Sequence, residues 1–372
     1  MLSNWNKLYN ICGRLFLMWK LEYQLKRHSA PINCIDISPD MTILASASTD
    51  GSVGFTNFQT RQTNYCQNHG DPVYGVSFSP NSQYLISCSN NGKVILWDCK
   101  ENEEIGSFKA HELTIRSVCW SPDGKYIATS SNDQTASIWS LNRFTKRQVL
   151  TGLKGWIRDI KWSGNTIAVA GNDSQVLLFD SRTGKPSLSI PTSSSSDVSS
   201  ISFHNSGQCI AAASYDHIVR IWDLRTSSIL QKHSAHTDSV LRVSFNPYNE
   251  DLLSVGRDGY AKIWDLKTGT VSLSCQNHSS SVLGCCWLPS SQGFLTSGED
   301  HRICSYKISD TGIDPLSLDY QDGDILDTLE KMQNDISRLV STMKSIDQRL
   351  LLQEERLQWL EDIDTKISRK RK

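Results

Sequence analysis

Short apolar runs with a period of two dominate the first three hundred residues and predict strands rather than helices. Ile35-Asp36-Ile37, Val76-Ser77-Phe78 and Val243-Ser244-Phe245 alternate and run into Ser-Pro, Ser-Pro and Asn-Pro turns. A second run follows each time: Leu44-Ala45-Ser46, Leu85-Ile86-Ser87 and Leu252-Leu253-Ser254. Then come an acidic turn and a strand ending on an aromatic residue. Past residue 325 the period changes to seven, and the prediction changes from strand to helix.

The strand pattern repeats. A turn acid, or its asparagine equivalent, recurs at Asp50, Asn91, Asp133, Asp173, Asp216, Asp258 and Asp300, with successive gaps of 41, 42, 40, 43, 42 and 42 residues. Six positions after each stand Thr56, Trp97, Trp139, Phe179, Trp222, Trp264 and Tyr306. Twenty-two positions before it stand His28, His69, His111, His236 and His278, at one offset in all five units that have a histidine. Four short strands in about 42 residues is the size of one propeller blade. The dipeptides Trp97-Asp98, Trp222-Asp223 and Trp264-Asp265 complete a pattern that resembles the WD40 family over residues 21–308. The expected fold is an all-β, seven-bladed WD40 β-propeller plus a C-terminal α-helical coiled coil.

The resemblance implies a His–Ser/Thr–Asp–Trp hydrogen-bond chain inside each blade. The residues that would form it are His28, Ser46, Asp50, His69, Ser87, Trp97, His111, Thr129, Asp133, Trp139, His236, Ser254, Asp258, Trp264, His278, Thr296 and Asp300. Units four and five lack the histidine, and they alone place Val169 and Ala212 where the others have Ser or Thr. A half-satisfied buried network keeps a desolvation cost of about 1–3 kcal/mol per orphaned group, so both partners are expected to disappear together. Recurrence of His, Ser and Asp at one spacing, without a Gly-x-Ser-x-Gly elbow, reads as structural rather than as a hydrolase triad. No phosphate-cradling glycine loop, HExxH helix or EF-hand loop occurs, so no enzyme activity, metal or cofactor is expected.

An open sheet edge invites aggregation, so the last blade needs a closing strand. Leu21-Glu22-Tyr23-Gln24-Leu25 is the expected one. Residues 1–20 then fall outside the ring as an apolar extension; they either lie against the ring or a partner, or precede the true start. Unit one departs from the pattern with Thr56-Asn57. Thr192 and the serines after it form a connector into unit five.

The segment 309–324, acidic and containing Gly312, Pro315 and Gly323, reads as a linker. Over 325–368, Leu329, Met332, Ile336, Leu339, Met343, Ile346 and Leu350 are spaced three and four apart, and Leu357 and Leu360 keep the register. Such heptads argue for a coiled coil, formed by a homodimer or with a partner helix. About 40 residues at 1.5 Å each would reach roughly 60 Å. Residues 369–372, Arg-Lys-Arg-Lys, form a basic end.

Composition narrows the function classes. With 38 basic and 39 acidic residues the formal net charge is −1, which argues against nucleic acid as a partner. Eleven scattered cysteines without a CxxC pair fit reduced thiols in a cytoplasmic protein. The apolar run Leu15–Trp19 spans five residues between Arg14 and Lys20, too short for a signal peptide or membrane span, so no membrane is expected.

Two rings of residues are expected on one face of the disc, one just before the acid turns and one at the start of each first strand. Candidate partner contacts among them are Tyr74, Arg116, Arg158, Tyr215, Leu241 and Arg257. A narrower resemblance comes from the tail: the stretch Gln348-Arg349-Leu350-Leu351-Leu352-Gln353-Glu354-Glu355-Arg356-Leu357, following an acidic linker and seven units, is similar to the proteome-of-centriole family. That resemblance implies a structural scaffold of centrioles and basal bodies, and of the cytoskeleton up to the ciliary axoneme. It would bind tubulin in microtubule triplet walls and other centriolar proteins. The competing reading is a substrate receptor, as in a ubiquitin ligase, that captures a short motif on one propeller face.

Overall fold

The computed structural model describes residues 18–309 apart from Arg27, Leu153, 193–195, Ala235 and Ser291. The expected extension up to residue 17, most of the serine connector, the acidic linker after Ser309, the heptads from Leu329 to Leu360 and the basic end lie outside the described residues.

Among the described residues, every strand belongs to one of seven four-stranded antiparallel sheets. Their first, innermost strands are Ile32–Ile37, Val73–Phe78, Ile115–Trp120, Ile157–Ser163, Val198–Phe203, Val240–Phe245 and Val282–Trp287. We number the blades 1 to 7 in that order and their strands a to d outwards. Each inner strand touches those of both neighbouring blades, and blade 7 touches blade 1, so the ring closes. The chain is a seven-bladed β-propeller.

Closure uses the N-terminal strand. Met18–Lys26 pairs antiparallel with Arg302–Ser309 and becomes strand d of blade 7. It starts three residues before the expected boundary at Leu21. The reason is Trp19, whose ring lies 5.2 Å from Phe294 and 6.1 Å from Trp287, edge-on to both. A residue assigned from sequence to the extension thus packs on the blade 6–blade 7 core.

That core is divided. Each blade's aliphatic residues pack against the next blade: Phe55 and Val73 with Trp97 join blades 1 and 2, and Leu25, Leu295 and Ile303 with Ile35 and Leu44 join blades 7 and 1. Two-sided burial explains why strands b read as continuous apolar or small runs while strands d alternate.

Two bulges recur. In all seven blades the a–b register slips at the second residue of strand a, leaving Asn33, Tyr74, Arg116, Arg158, Ser199, Leu241 and Leu283 as the extra residues. A bulge re-aims a side chain, and here it turns one residue per blade away from the sheet alternation at the end where strand a begins. A second slip occurs between strands c and d beside the large aromatic, at Trp97, Trp139, Phe179, Trp222, Trp264 and Tyr306. Blade 1, with Thr56 there, pairs without the slip, and Thr56 Oγ1 lies 2.9 Å from Thr63 Oγ1 instead. Antiparallel pairing puts the starts of strands a and the b–c turns on one face of the disc. The a–b and c–d turns lie on the opposite face. We call these the first and second faces.

Candidate interaction surface

Within each blade the polar residues beneath the first face are arranged by the b–c turn. In blade 3, the Trp139 indole N–H donates to Thr129 Oγ1 (3.0 Å), whose hydroxyl lies 2.8 Å from His111 Nε2. His111 Nδ1 lies 2.8 Å from Asp133 Oδ2. A carboxylate only accepts, so Nδ1 carries the proton and Nε2 accepts from the hydroxyl. Blade 6 repeats the chain through Trp264, Ser254, His236 and Asp258 (2.8, 2.8 and 2.9 Å). Blade 7 links His278 to Thr296 (2.8 Å) and Asp300 (2.9 Å), while Tyr306 stacks on Phe294 at 4.4 Å. Blade 1 links His28 to Ser46 (2.7 Å) and Asp50 (3.0 Å) without a tryptophan.

These rings are buried. Burial lowers His28 and His111 below the usual histidine value despite the carboxylate beside each. Burial works against Asp50 too, but the Ser52 hydroxyl and amide and the His28 ring hold it at about 2. In blades 1 and 3 the imidazole sits beneath the surface between a hydroxyl and a carboxylate, where it links neighbouring strands.

Blade 2 is incomplete. Trp97 donates to Ser87 Oγ (2.7 Å), and Ser87 lies 2.6 Å from His69 Nε2. Asn91 replaces the acid, and its Nδ2 donates to Asp71 (2.9 Å), leaving the buried His69 Nδ1 without a partner. Burial, with help from Lys93, pushes His69 down to about 3.

The two blades without histidine differ. In blade 5, Arg220 on strand c forms a bidentate pair with Asp216, Nη2 to Oδ2 at 2.6 Å and Nη1 to Oδ1 at 3.1 Å. In blade 4 the positions are apolar, with Val169 and Leu177 buried; burial raises Asp173. Both partners are absent together in blades 4 and 5, as expected, but the expectation misses the arginine that blade 5 adds. Its signal was present: Arg220 stands four residues after the turn acid, where the other units have Gly54, Ile95, Ser137, Leu177, Lys262 and Cys304.

The residue after each a-strand bulge faces the axis, and a cavity of about 420 Å³ lies there. Asp159, which takes that position in blade 4, is fully buried and is a hub between blades. Oδ1 accepts from Ser117 Oγ of blade 3 (2.7 Å), and Oδ2 accepts from Ser200 Oγ (2.9 Å) and Ile201 N (3.0 Å) of blade 5. Arg242 of blade 6 approaches to 3.9 Å. Burial drives Asp159 up, but Lys161, Arg242 and these donors hold it below the ordinary carboxylate value. Asp36, also on the axis, accepts from Phe78 N (2.8 Å), and burial lifts it to about 6. Sequence reading missed this hub, because nothing local marks an inward aspartate. The cysteines among the described residues are free thiols, and burial pushes Cys119 up to about 12. That is the behaviour of packing residues, not nucleophiles. Among the described residues, no group of His, Cys, Asp or Glu is placed to hold a metal ion, and no helix is long and apolar enough to cross a membrane.

On the first face the structure brings the candidate contacts together in two stacks. The Arg116 guanidinium lies 4.6 Å from the Tyr74 ring centroid and donates to Asn132 (3.3 Å). Arg158 lies 5.0 Å from the Tyr215 centroid, donates to Asn172 (2.8 Å) and pairs with Asp197 at 3.6 Å. Leu241 is half-buried and Arg257 exposed in blade 6, and neither joins these stacks. Beside them stand Leu113 and Trp156, 52% and 47% exposed at the approaches to blades 3 and 4. Together they make a mixed aromatic, cationic and apolar surface of the kind enriched at protein interfaces.

Comparison with known proteins agrees with this geometry. The family model "WD domain, G-beta repeat" matches residues 19–55, 60–98, 102–140, 184–223, 227–265 and 269–307. The gap at 141–183 holds strand d of blade 3 and most of blade 4, the blade that lost its hydrogen-bonded set. A guanine nucleotide-binding protein subunit beta from Zea mays is 26% identical over 191 residues, 47% of this chain and 50% of that protein. WD repeat-containing protein 1 from Mus musculus is 30% identical over 94 residues, 24% of this chain and 16% of that protein. The chain thus spans about half the length of the first of these curated relatives and less of the second. Its repeats, its sheets and the matched model together place it in the WD40 repeat family.

Proposed function

We propose that this protein is a structural scaffold of centrioles and basal bodies. Its propeller presents a rigid surface to microtubule triplet walls and to other centriolar proteins, and its C-terminal heptads pair with a second helix. As a WD40 propeller the chain is of the kind that serves protein–protein interaction, and the centriolar setting is the further step. The observation that carries it is the combination, in one chain, of seven blades, an acidic segment and heptads containing Gln348–Leu357. Two modest contacts on one chain would reinforce each other through effective concentration.

The test is imaging of a tagged full-length copy in dividing cells. A focus at centrioles or ciliary bases is the expected result. A diffuse or nuclear signal without such foci overturns the reading.

A further inference from the structure

Charge is unevenly spread around the ring. Residues 121–185 hold nine Lys and Arg against five Asp, in a chain whose net charge is −1, and no glutamate occurs between Glu112 and Glu250. Exposed cations of this sector cluster at the second face and outer edge of blades 3 and 4: Lys125, Arg143, Lys146, Arg147, Arg182 and Lys185. The neighbouring acids are engaged. Asp180 is bound by Arg182 (3.2 Å) and caps its own turn, and Asp123 accepts from Ser121 Oγ (2.6 Å) and Lys125 N (3.2 Å).

Between the two blades lies a groove of about 360 Å³ whose walls include Arg147, Arg182 and Asp123. Arg147 is held there by the Tyr126 ring, 4.4 Å from its guanidinium carbon. The c–d turn carrying Arg182 is held against blade 3 by a hydrogen bond from Gln148 Nε2 to Thr183 O. Stacking fixes a guanidinium while leaving donors at its edge for a carboxylate.

We propose that this groove captures an acidic, Asp- and Glu-rich segment of a partner protein. Charge complementarity identifies the occupant. Protection of an exposed sheet edge does not account for the cations, since the outer strands Thr63–Cys66 and Thr270–Cys275 manage without a charged residue. Nucleic acid is disfavoured because single strands need free aromatic faces for stacking. Here Arg147 covers Tyr126, Lys146 lies 4.9 Å from the Trp139 centroid, and Phe144 stacks on Phe108. The site lies on the opposite face from the Arg116–Tyr74 and Arg158–Tyr215 stacks, and it stands or falls independently of the centriolar reading.

The experiment is fluorescence anisotropy of the full chain with labelled decaglutamate, a neutral Gly/Ser peptide of equal length, and decauridylate. Decaglutamate should bind, more weakly as ionic strength rises, and the neutral peptide should not. Arg147→Glu with Arg182→Glu should lower the affinity about tenfold, equivalent to about 1.4 kcal/mol. Lys26→Glu with Lys109→Glu, exposed positions on the first face, should leave it within about twofold. Arg147→Gln with Arg182→Gln gives a milder loss should the reversal perturb folding. The proposal is overturned if the full chain does not bind decaglutamate, as when its own acidic segment occupies the groove. It is equally overturned if the groove variants bind as well as wild type, or if decauridylate binds more tightly and shares their loss.

Discussion

Blade 3 holds its strands through Trp139, Thr129, His111 and Asp133, whereas blades 4 and 5 have none of the first-face histidine chain and still pair in full. Blade 5 substitutes a charge pair, Arg220 with Asp216, and blade 4 substitutes aliphatic packing around Val169 and Leu177. Both are then tied at the axis by Asp159, which belongs to blade 4 and bonds to blades 3 and 5. The comparison teaches that the repeat needs its buried polar groups satisfied, not a particular set of residues. A chain of hydrogen bonds, a bidentate ion pair and an apolar plug are three solutions to that one requirement.

Removing the axial tie should have the largest effect. Asp159→Ala leaves two hydroxyls and two amides without their acceptor and two cations without their counter-charge, and should cost about 3–5 kcal/mol in urea unfolding. A cost below about 1 kcal/mol would show that the axis contributes little to holding blades 4 and 5. Next, Arg220→Ala should cost about 2–4 kcal/mol, because Asp216 keeps a half-buried charge with no partner. Arg220→Leu, which copies Leu177 of blade 4, should recover part of that loss through packing. If Leu is no better than Ala there, the two blades are not interchangeable solutions.

Thr129→Val should be smaller, about 2 kcal/mol, since it orphans the Trp139 N–H and His111 Nε2 while keeping the shape. A thermal midpoint unchanged from wild type would contradict it. Asn91→Asp should have the smallest effect and the opposite sign, a gain of up to about 1 kcal/mol, because it offers His69 Nδ1 an acceptor. Asp71 nearby opposes the gain. The stronger readout is pH. His69 sits at about 3 when folded, against an ordinary 6.5, so its neutral ring supports folding fully above about pH 6.5. That support is lost as pH falls towards 3, because the unfolded chain takes up a proton that the folded chain resists. The new carboxylate should raise His69 and shrink the loss, so the variant's advantage should grow on acidification from pH 6.5 to about 4. The contribution of Asp36 is common to both proteins and cancels. A difference that stays flat with pH would mean that the introduced carboxylate does not reach the ring.

Much of this architecture was legible along the chain, because a repeat states the same physical requirement several times. Each turn acid or asparagine, with a histidine before it in five units and an aromatic after it in six, reports a b–c turn and the strand that follows. The family resemblance was enough to place His111, Thr129 and Trp139 in one chain, since Thr129 and Trp139 lie on adjacent strands and His111 just before the first strand of the same meander. The closing strand was legible as an alternating run, but its start was not: Trp19 belongs to it only because Phe294 and Trp287, far away in sequence, provide its pocket.

The sequence by itself determined the number of blades, the register of the inner turns and the residues that fill each sheet, because these follow from local periodicity and from hydrogen bonds within one unit. Only the tertiary structure decided which side chains meet across units. It showed that the bulge in each first strand turns Arg116 and Arg158 outward onto tyrosines of neighbouring blades, and that Asp159 reaches Ser117 and Ser200. It also showed that Arg147 and Arg182 border one groove. Periodicity describes a residue's position within its own strand, whereas contacts between blades depend on how the closed ring rotates each sheet against the next.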